Sequence, residues 1–323
     1  MRCILAVLLL VSSADAIAAT EPDPRWTQQA QKPGITTLQK QAYEQIAELR
    51  NFSGAGMIPE GFYILPADKV TTKSCVLVLY EMGLDVLPVL VEALDDTTPS
   101  GFVTNNRWGT APQTWQVNEL TARLIVEIAK HDFVLKDSSH ERLLSGQIRQ
   151  NSALVPKFQK QVLEWHARNR HRALEDRIIA DLGDNWFRNR MDAIEWLGEH
   201  KVLKASPVII QHVRQILAAR ENLSVVDFEL AESALALGRI GDPAGLPAVR
   251  RVCRHFGNGI REYGVTGSMD IKLLFEAQEG RALLGEKTES LQELQSLYAQ
   301  CENRMESSSR KEYQERMQAA AKW

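Results

Sequence analysis

Residues 234–249, ALALGRIGDPAGLPAV, read as the end of one helix, a tight turn and the start of another. Leu230, Ala234, Leu235 and Leu237 fall close to i, i+4, i+7 spacing, which places them on one side of a helix. Gly238 follows the last leucine, where helices commonly end in a left-handed residue that glycine adopts without steric cost. Gly241 loosens the turn. Asp242 suits acceptance from the orphan N–H groups of a new helix, and Pro243 suits its first position. Leu246, Val249, Val252 and Cys253 then form a second apolar face. Pro247 removes one backbone bond there, so a loosened first turn is expected.

One hairpin of this kind fits an ordinary helical domain equally well. Periodicity argues for an array. Leu197-Gly198, Leu237-Gly238 and Leu284-Gly285 each close an apolar run, with glycines 40 and 47 residues apart. Helical repeats of the HEAT and armadillo kinds run about 40–47 residues. Pro207 and Pro247 each lie nine positions after their glycine, and a shorter copy runs from Tyr80 to Leu94 with Gly83 and Pro88.

On the residues Ala234-Leu235-Ala236-Leu237-Gly238-Arg239-Ile240-Gly241-Asp242-Pro243, the chain resembles the HEAT repeat family, in particular the HEAT-like repeats of phycobilisome lyases. The likeness covers residues 184–305 and, loosely, 70–96. It implies an all-α fold: an α-solenoid of helical hairpins, wound as a right-handed superhelix, with a less regular helical N-terminal half. Each hairpin of such an array buries its apolar face by stacking on its neighbours. The second helices of HEAT-like repeats commonly line the concave surface. By that resemblance Arg214, Arg250 and Arg254 form a basic strip facing an acidic partner protein. The plainer alternative is a solvated helix face balanced by nearby carboxylates. Lyase activity is not implied, because only the repeat matches.

Composition sets wider limits. A net charge of −3 over 323 residues gives no global attraction to nucleic acid or anionic membrane. Met1-Arg2 is a short positive start, Cys3 to Val11 is an unbroken apolar run, and Ala16-Ile17-Ala18 is a small-residue cleavage pattern, with Ala14-Asp15-Ala16 as the alternative. Residues 1–18 therefore read as a secretory signal peptide, and the protein as exported to periplasm or extracellular space. The apolar run is far short of the ~20 residues of a spanning helix, so no transmembrane segment is expected in the mature chain. Cleavage removes Cys3 and leaves Cys75, Cys253 and Cys301. An odd count allows one bridge and a free thiol, or three buried thiols. Buried thiols are favoured because Cys75 and Cys253 lie in apolar helical runs.

The remainder divides by pattern. Residues 19–69 read as an extended lead-in, one helix capped by Thr36 or Thr37 through about Arg50, and a packed loop over 51–68. Residues 70–183 read as an irregular helical region containing the weak hairpin, with helices expected over 71–82, 84–94, 115–129, 138–150, 152–169 and 172–182. Residues 95–112 form a long connection, either folded back over Phe102 and Trp108 or forming the rim of a binding surface. Repeats fill 184–305, and 306–323 is a charged helical tail with fraying expected. No β-strand pattern of useful length is evident.

Chemistry-bearing patterns are sparse. His166 and His171 are five apart and diverge on a helix; His140-Glu141 has Leu144 where a zinc motif needs histidine. Gly264-Val265-Thr266-Gly267-Ser268 does not match a nucleophile elbow, and the glycines at 257, 259, 264 and 267 lack the lysine of a phosphate loop, so they are expected to mark a flexible connection. No catalytic, cofactor-binding or metal residue is assigned. Basic clusters occur at 166–172 and 250–255. Trp165, Trp186 and Trp196 are expected in the interlayer core. The preferred reading is a non-catalytic scaffold binding another protein. The alternatives are an envelope enzyme with a site near 95–112 and a glycan- or polyanion-binding module.

Overall fold

The computed structural model describes residues 21–52, 54–58, 74–106, 113–133, 148, 152–219, 224–265 and 267–323. The expected signal segment, the helix over 138–150 and most of the 51–68 loop lie outside them. The described chain is all-α in class, with one small sheet. It forms two compact units, Met1–His171 and Arg172–Trp323.

The first unit opens with α1, Pro24–Gln29, where Pro24 holds the first position and the Asp23 carboxylate accepts from the Arg25 N–H at 2.9 Å. Helix α2, Thr37–Glu48, begins with a reciprocal cap: Thr36 accepts from the Gln39 N–H, and the Gln39 side chain accepts from the Thr36 N–H. That satisfies two donors the helix itself leaves open. Ala42, Ile46 and Leu49 are buried as their spacing predicts.

Helix α3, Cys75–Glu81, is capped by Ser74, turns at Gly83 in the left-handed region (φ +66°) and continues through a short 3₁₀ segment into α4, Leu87–Glu92. Helices α5, Val117–Ala129, and α6, Val155–Asn169, complete the described helices of this unit. Leu79, Leu90, Leu94, Leu124, Phe158 and Val162 meet in its core.

A three-stranded sheet corrects the expectation of no strands. Strand β1 is Gly54–Ile58, β2 is Pro99–Asn106 and β3 is Gln113–Gln116, in the order β1-β2-β3. β1 runs parallel to β2, with Gly54 opposite Phe102; β2 runs antiparallel to β3, with Val103 opposite Thr114. Glycine, proline and asparagine in these strands are poor strand formers, so long-range pairing decides the outcome over local preference. Part of the 95–112 connection is therefore sheet. Phe102 is buried, stacks on Phe52 at 5.8 Å and meets Trp115 edge-on at 5.6 Å. Its folded-back placement is the one expected of a covered ring.

The second unit is a series of helical hairpins. Its helices are α7, Leu174–Asp181; α8, Phe187–Glu199; α9, Ser206–Ala219; α10, Ser224–Ile240; α11, Leu246–Tyr263; α12, Ser268–Arg281; α13, Lys287–Cys301; and α14, Ser307–Ala320. The first helices of successive hairpins, α8, α10 and α12, pack side by side, and the second helices, α9, α11 and α13, form the other layer. Leu197, Leu230, Leu237, Val249, Val252 and Leu274 fill the space between.

The turn chemistry differs from the sequence reading in one respect. Gly198 and Gly238 do not end their helices. Helix α10 runs on to Ile240, and Gly241 supplies the left-handed residue (φ +77°). Gly238 instead lies against α12: a Cβ there would be 2.5 Å from the Gly280 carbonyl oxygen. A Cβ on Gly198 would be 2.8 Å from the Ala236 Cα. These glycines permit backbone-to-backbone approach of neighbouring first helices. Gly285 does break its helix (φ +98°), so the regular Leu-Gly spacing joins two different roles.

Asp242 caps as expected, accepting from the Ala244 N–H at 3.0 Å, and a 3₁₀ turn over Pro243–Gly245 precedes the Pro247-containing first turn of α11. Gly257 and Gly259 lie inside α11, which corrects the flexible connection expected there. The tail is packed: Tyr313 of α14 is fully buried and donates to the Leu294 carbonyl at 2.9 Å. Cys75, Cys253 and Cys301 are free thiols, the last two buried. Burial pushes Cys253 up to about 12.

Candidate interaction surface

Helices α9 and α11 are neighbours in the second-helix layer, and each is amphipathic. On α9, Ile209, Ile210 and Val213 are buried, and Arg214 faces solvent. On α11, Val249, Val252, Cys253 and Phe256 are buried, which turns Arg250, Arg251 and Arg254 outward. The three arginines of the expected strip therefore lie on exposed faces of adjacent helices.

They are not electrostatically equivalent. Arg250 forks onto Glu286: its Nε donates at 2.9 Å to one carboxylate oxygen and its Nη2 donates to the other. Glu286 also accepts from the Arg281 Nε at 2.7 Å, and the Arg281 Nη1 donates to Glu293 at 2.7 Å. The hydrogen bonds from Arg250 and then Arg281 pull the Glu286 carboxyl down to about 2. Such charge-assisted, two-pronged bonds hold an arginine in place. Arg250 is thus committed within its own unit. Arg214, Arg251 and Arg254 form no ion pair among the described residues. Arg251 was missed as a strip residue because the repeat offset selects one arginine per turn and gives no sign of which is neutralised.

A second polar cluster joins three helices. Glu229 of α10 is 2% exposed. Arg190 of α8 reaches it through Nε, 3.1 Å from each carboxylate oxygen, and through Nη2. His212 of α9 places Nε2 2.8 Å from the Glu229 Oε2. Burial would raise this carboxyl, but the hydrogen bonds from His212 and Arg190 outweigh it and hold Glu229 below the usual range. Arg190 also donates to the Asp184 carbonyl at 2.8 Å. A satisfied buried network of this kind fixes one arrangement of α8, α9 and α10.

The remaining sequence candidates separate. In the 166–172 cluster His166 is buried, and burial, then Arg170, lowers its basicity. Arg170 Nε donates to His171 Nε2 at 2.9 Å. At the start of the 95–112 segment, Asp96 is buried and accepts from the Trp26 Nε1 at 2.6 Å and the Thr98 N–H at 2.9 Å, a structural staple. Trp165 is buried and Trp186 and Trp196 are half-buried, the last stacked on His200 at 3.9 Å. No helix among the described residues is long and apolar enough to cross a membrane. No family model matches the chain, and neither a curated protein nor a solved structure matches it.

Proposed function

We propose that this protein is an exported, non-catalytic interaction module, a solenoid of HEAT-like hairpins whose second-helix face binds an acidic partner protein. The observation that carries the reading is the set of exposed arginines Arg214, Arg251 and Arg254 on the adjacent helices α9 and α11, which form no ion pair among the described residues. Three exposed guanidinium groups on one layer attract carboxylates and speed encounter with an anionic surface. Two further features agree with it. The hairpins stack in two layers, the arrangement an elongated repeat array uses to present one helix face. The apolar run and Ala-x-Ala pattern over residues 1–18 agree with export.

The test is zero-length crosslinking of tagged full-length protein in its own envelope or secreted fraction, which joins carboxylates to amines beside the interface. One dominant acidic protein is expected. Its capture should fall in salt of about 0.5 M, where exposed charges are largely screened. It should also fall in Arg214→Ser/Arg251→Ser/Arg254→Ser. Arg250→Ser should matter less, because Glu286 already holds that arginine. Unchanged capture in the triple variant would remove the reading. N-terminal sequencing of the exported form should begin after Ala18 or Ala16.

A further inference from the structure

The two layers of the second unit differ in the sign of charge they turn to solvent. On the first-helix layer α8 exposes Glu195 and Glu199, and α12 half-exposes Glu276 and Glu279. Glu232 of α10 lies between them, half-buried. The cations on this side leave an acidic excess. Arg239 pairs with Glu232 at 3.8 Å and Lys272 with Glu276 at 3.6 Å, Arg316 of α14 adds its pull on Glu276, and Arg188 is exposed at the start of α8. The Glu232 Oε1 is buried with no hydrogen-bond donor. Burial first, then the neighbouring charges of Glu195 and Glu276, pushes this carboxyl up to about 7 against the pull of Arg239 and Lys272.

The second-helix layer has the opposite excess. Arg214, Arg251 and Arg254 are exposed and form no ion pair among the described residues, Arg250 is held by Glu286, and Arg261 is also exposed; the carboxylates set against them are Glu262 at the end of α11 and Glu289 and Glu293 on α13.

We propose that the partner of the arginine face is a second copy of this chain, which docks the acidic first-helix face of one molecule on the basic second-helix face of the next. This rests on the interaction-module reading for its basic face and goes further in naming the occupant. Charge complementarity decides the mode of association. A two-fold dimer would set each face against itself, carboxylates on carboxylates or arginines on arginines. Only head-to-tail contact joins unlike faces, and a head-to-tail contact leaves one free face at each end. Association therefore continues past the dimer, into a closed ring or an open chain as the rotation between copies dictates. A net charge of −3 puts little long-range repulsion in its way.

Sedimentation velocity of the full chain tests this at ionic strengths of about 0.01 M and about 1 M, where screening lengths are about 30 Å and about 3 Å. At low salt the sedimentation coefficient should climb with protein concentration beyond that of a dimer, and at high salt it should be that of the monomer. Two neutralised variants give the sharper result, each checked for native circular dichroism. Arg214→Gln/Arg251→Gln/Arg254→Gln keeps only the acidic face, and Glu195→Gln/Glu199→Gln/Glu279→Gln keeps only the basic one. Each alone should stay monomeric, and an equimolar mixture should form a dimer that grows no further. A wild-type monomer at low salt overturns the proposal, as does a closed two-fold dimer or variants that fail to pair while the wild type associates. A wild-type monomer that still captures an acidic protein through Arg214 and Arg254 overturns this proposal alone and leaves the interaction-module reading standing.

Discussion

Replacing Glu232 by glutamine should stabilise the protein at alkaline pH and flatten its stability profile. The carboxyl is raised from 4.5 to about 7 by burial, then by Glu195 and Glu276, against the weaker pull of Arg239 and Lys272. The folded chain therefore holds this proton more tightly than the unfolded chain does. Linkage fixes the sign: the group's stabilisation is complete below about 4.5 and is lost as pH rises through about 7. The difference of about 2.5 units corresponds to about 3 kcal/mol between the two limits at about 1.4 kcal/mol per unit. Its side chain is 16% exposed, so solvent screening trims that figure modestly. Glutamine keeps the shape and carries no charge at any pH. Urea unfolding at about pH 5 and about pH 9 should show wild type losing roughly 2–3 kcal/mol more than Glu232→Gln across the interval, with the m-value unchanged. Equal losses in the two proteins, or a variant less stable than wild type at about pH 9, would refute the argument that burial, with Glu195 and Glu276 beside it, disfavours the charged carboxylate here.

Gly280→Ala should destabilise by about 2 kcal/mol or more, because its Cβ would strike the Ala234 backbone, whereas Gly259→Ala meets open space inside α11 and should stabilise by about 0.5–1 kcal/mol; thermal denaturation distinguishes them. Glu229→Ala leaves Arg190 and His212 without their shared carboxylate in a buried site and should cost about 3–5 kcal/mol by urea titration, with Glu229→Gln costing less. Native alkylation followed by mass measurement should leave Cys253 and Cys301 unmodified, with full labelling only after unfolding.

The hairpin at 234–249 was legible because its evidence is local. Leucines at helical spacing, a capping aspartate and a proline in the first turn all act within a few residues. Glycine was misread for the same reason. A glycine after a leucine looks alike whether it ends a helix, as Gly285 does, or admits a neighbouring backbone, as Gly238 does; the difference lies in Gly280, forty-two residues away. The sheet was hidden because Gly54 finds its partner at Phe102, and nothing within either strand announces the pairing. At the candidate surface the amphipathic pattern placed the arginines outward. It gave no warning that Glu286, thirty-six residues beyond Arg250, neutralises one of them.

The close glycine contacts along α8, α10 and α12 also set a ruler. Side chains that interdigitate between helices allow spacing to drift as they repack, but backbone resting on backbone does not. The first helices therefore keep a fixed pitch, and the second helices inherit it through the hairpins. Arg214 and Arg254 are held at the separation of adjacent second helices, however the surface side chains change. On the proposed reading, a partner of this face would have to present its carboxylates at that interval, and the spacing of the arginines would be written in glycines buried on the opposite layer.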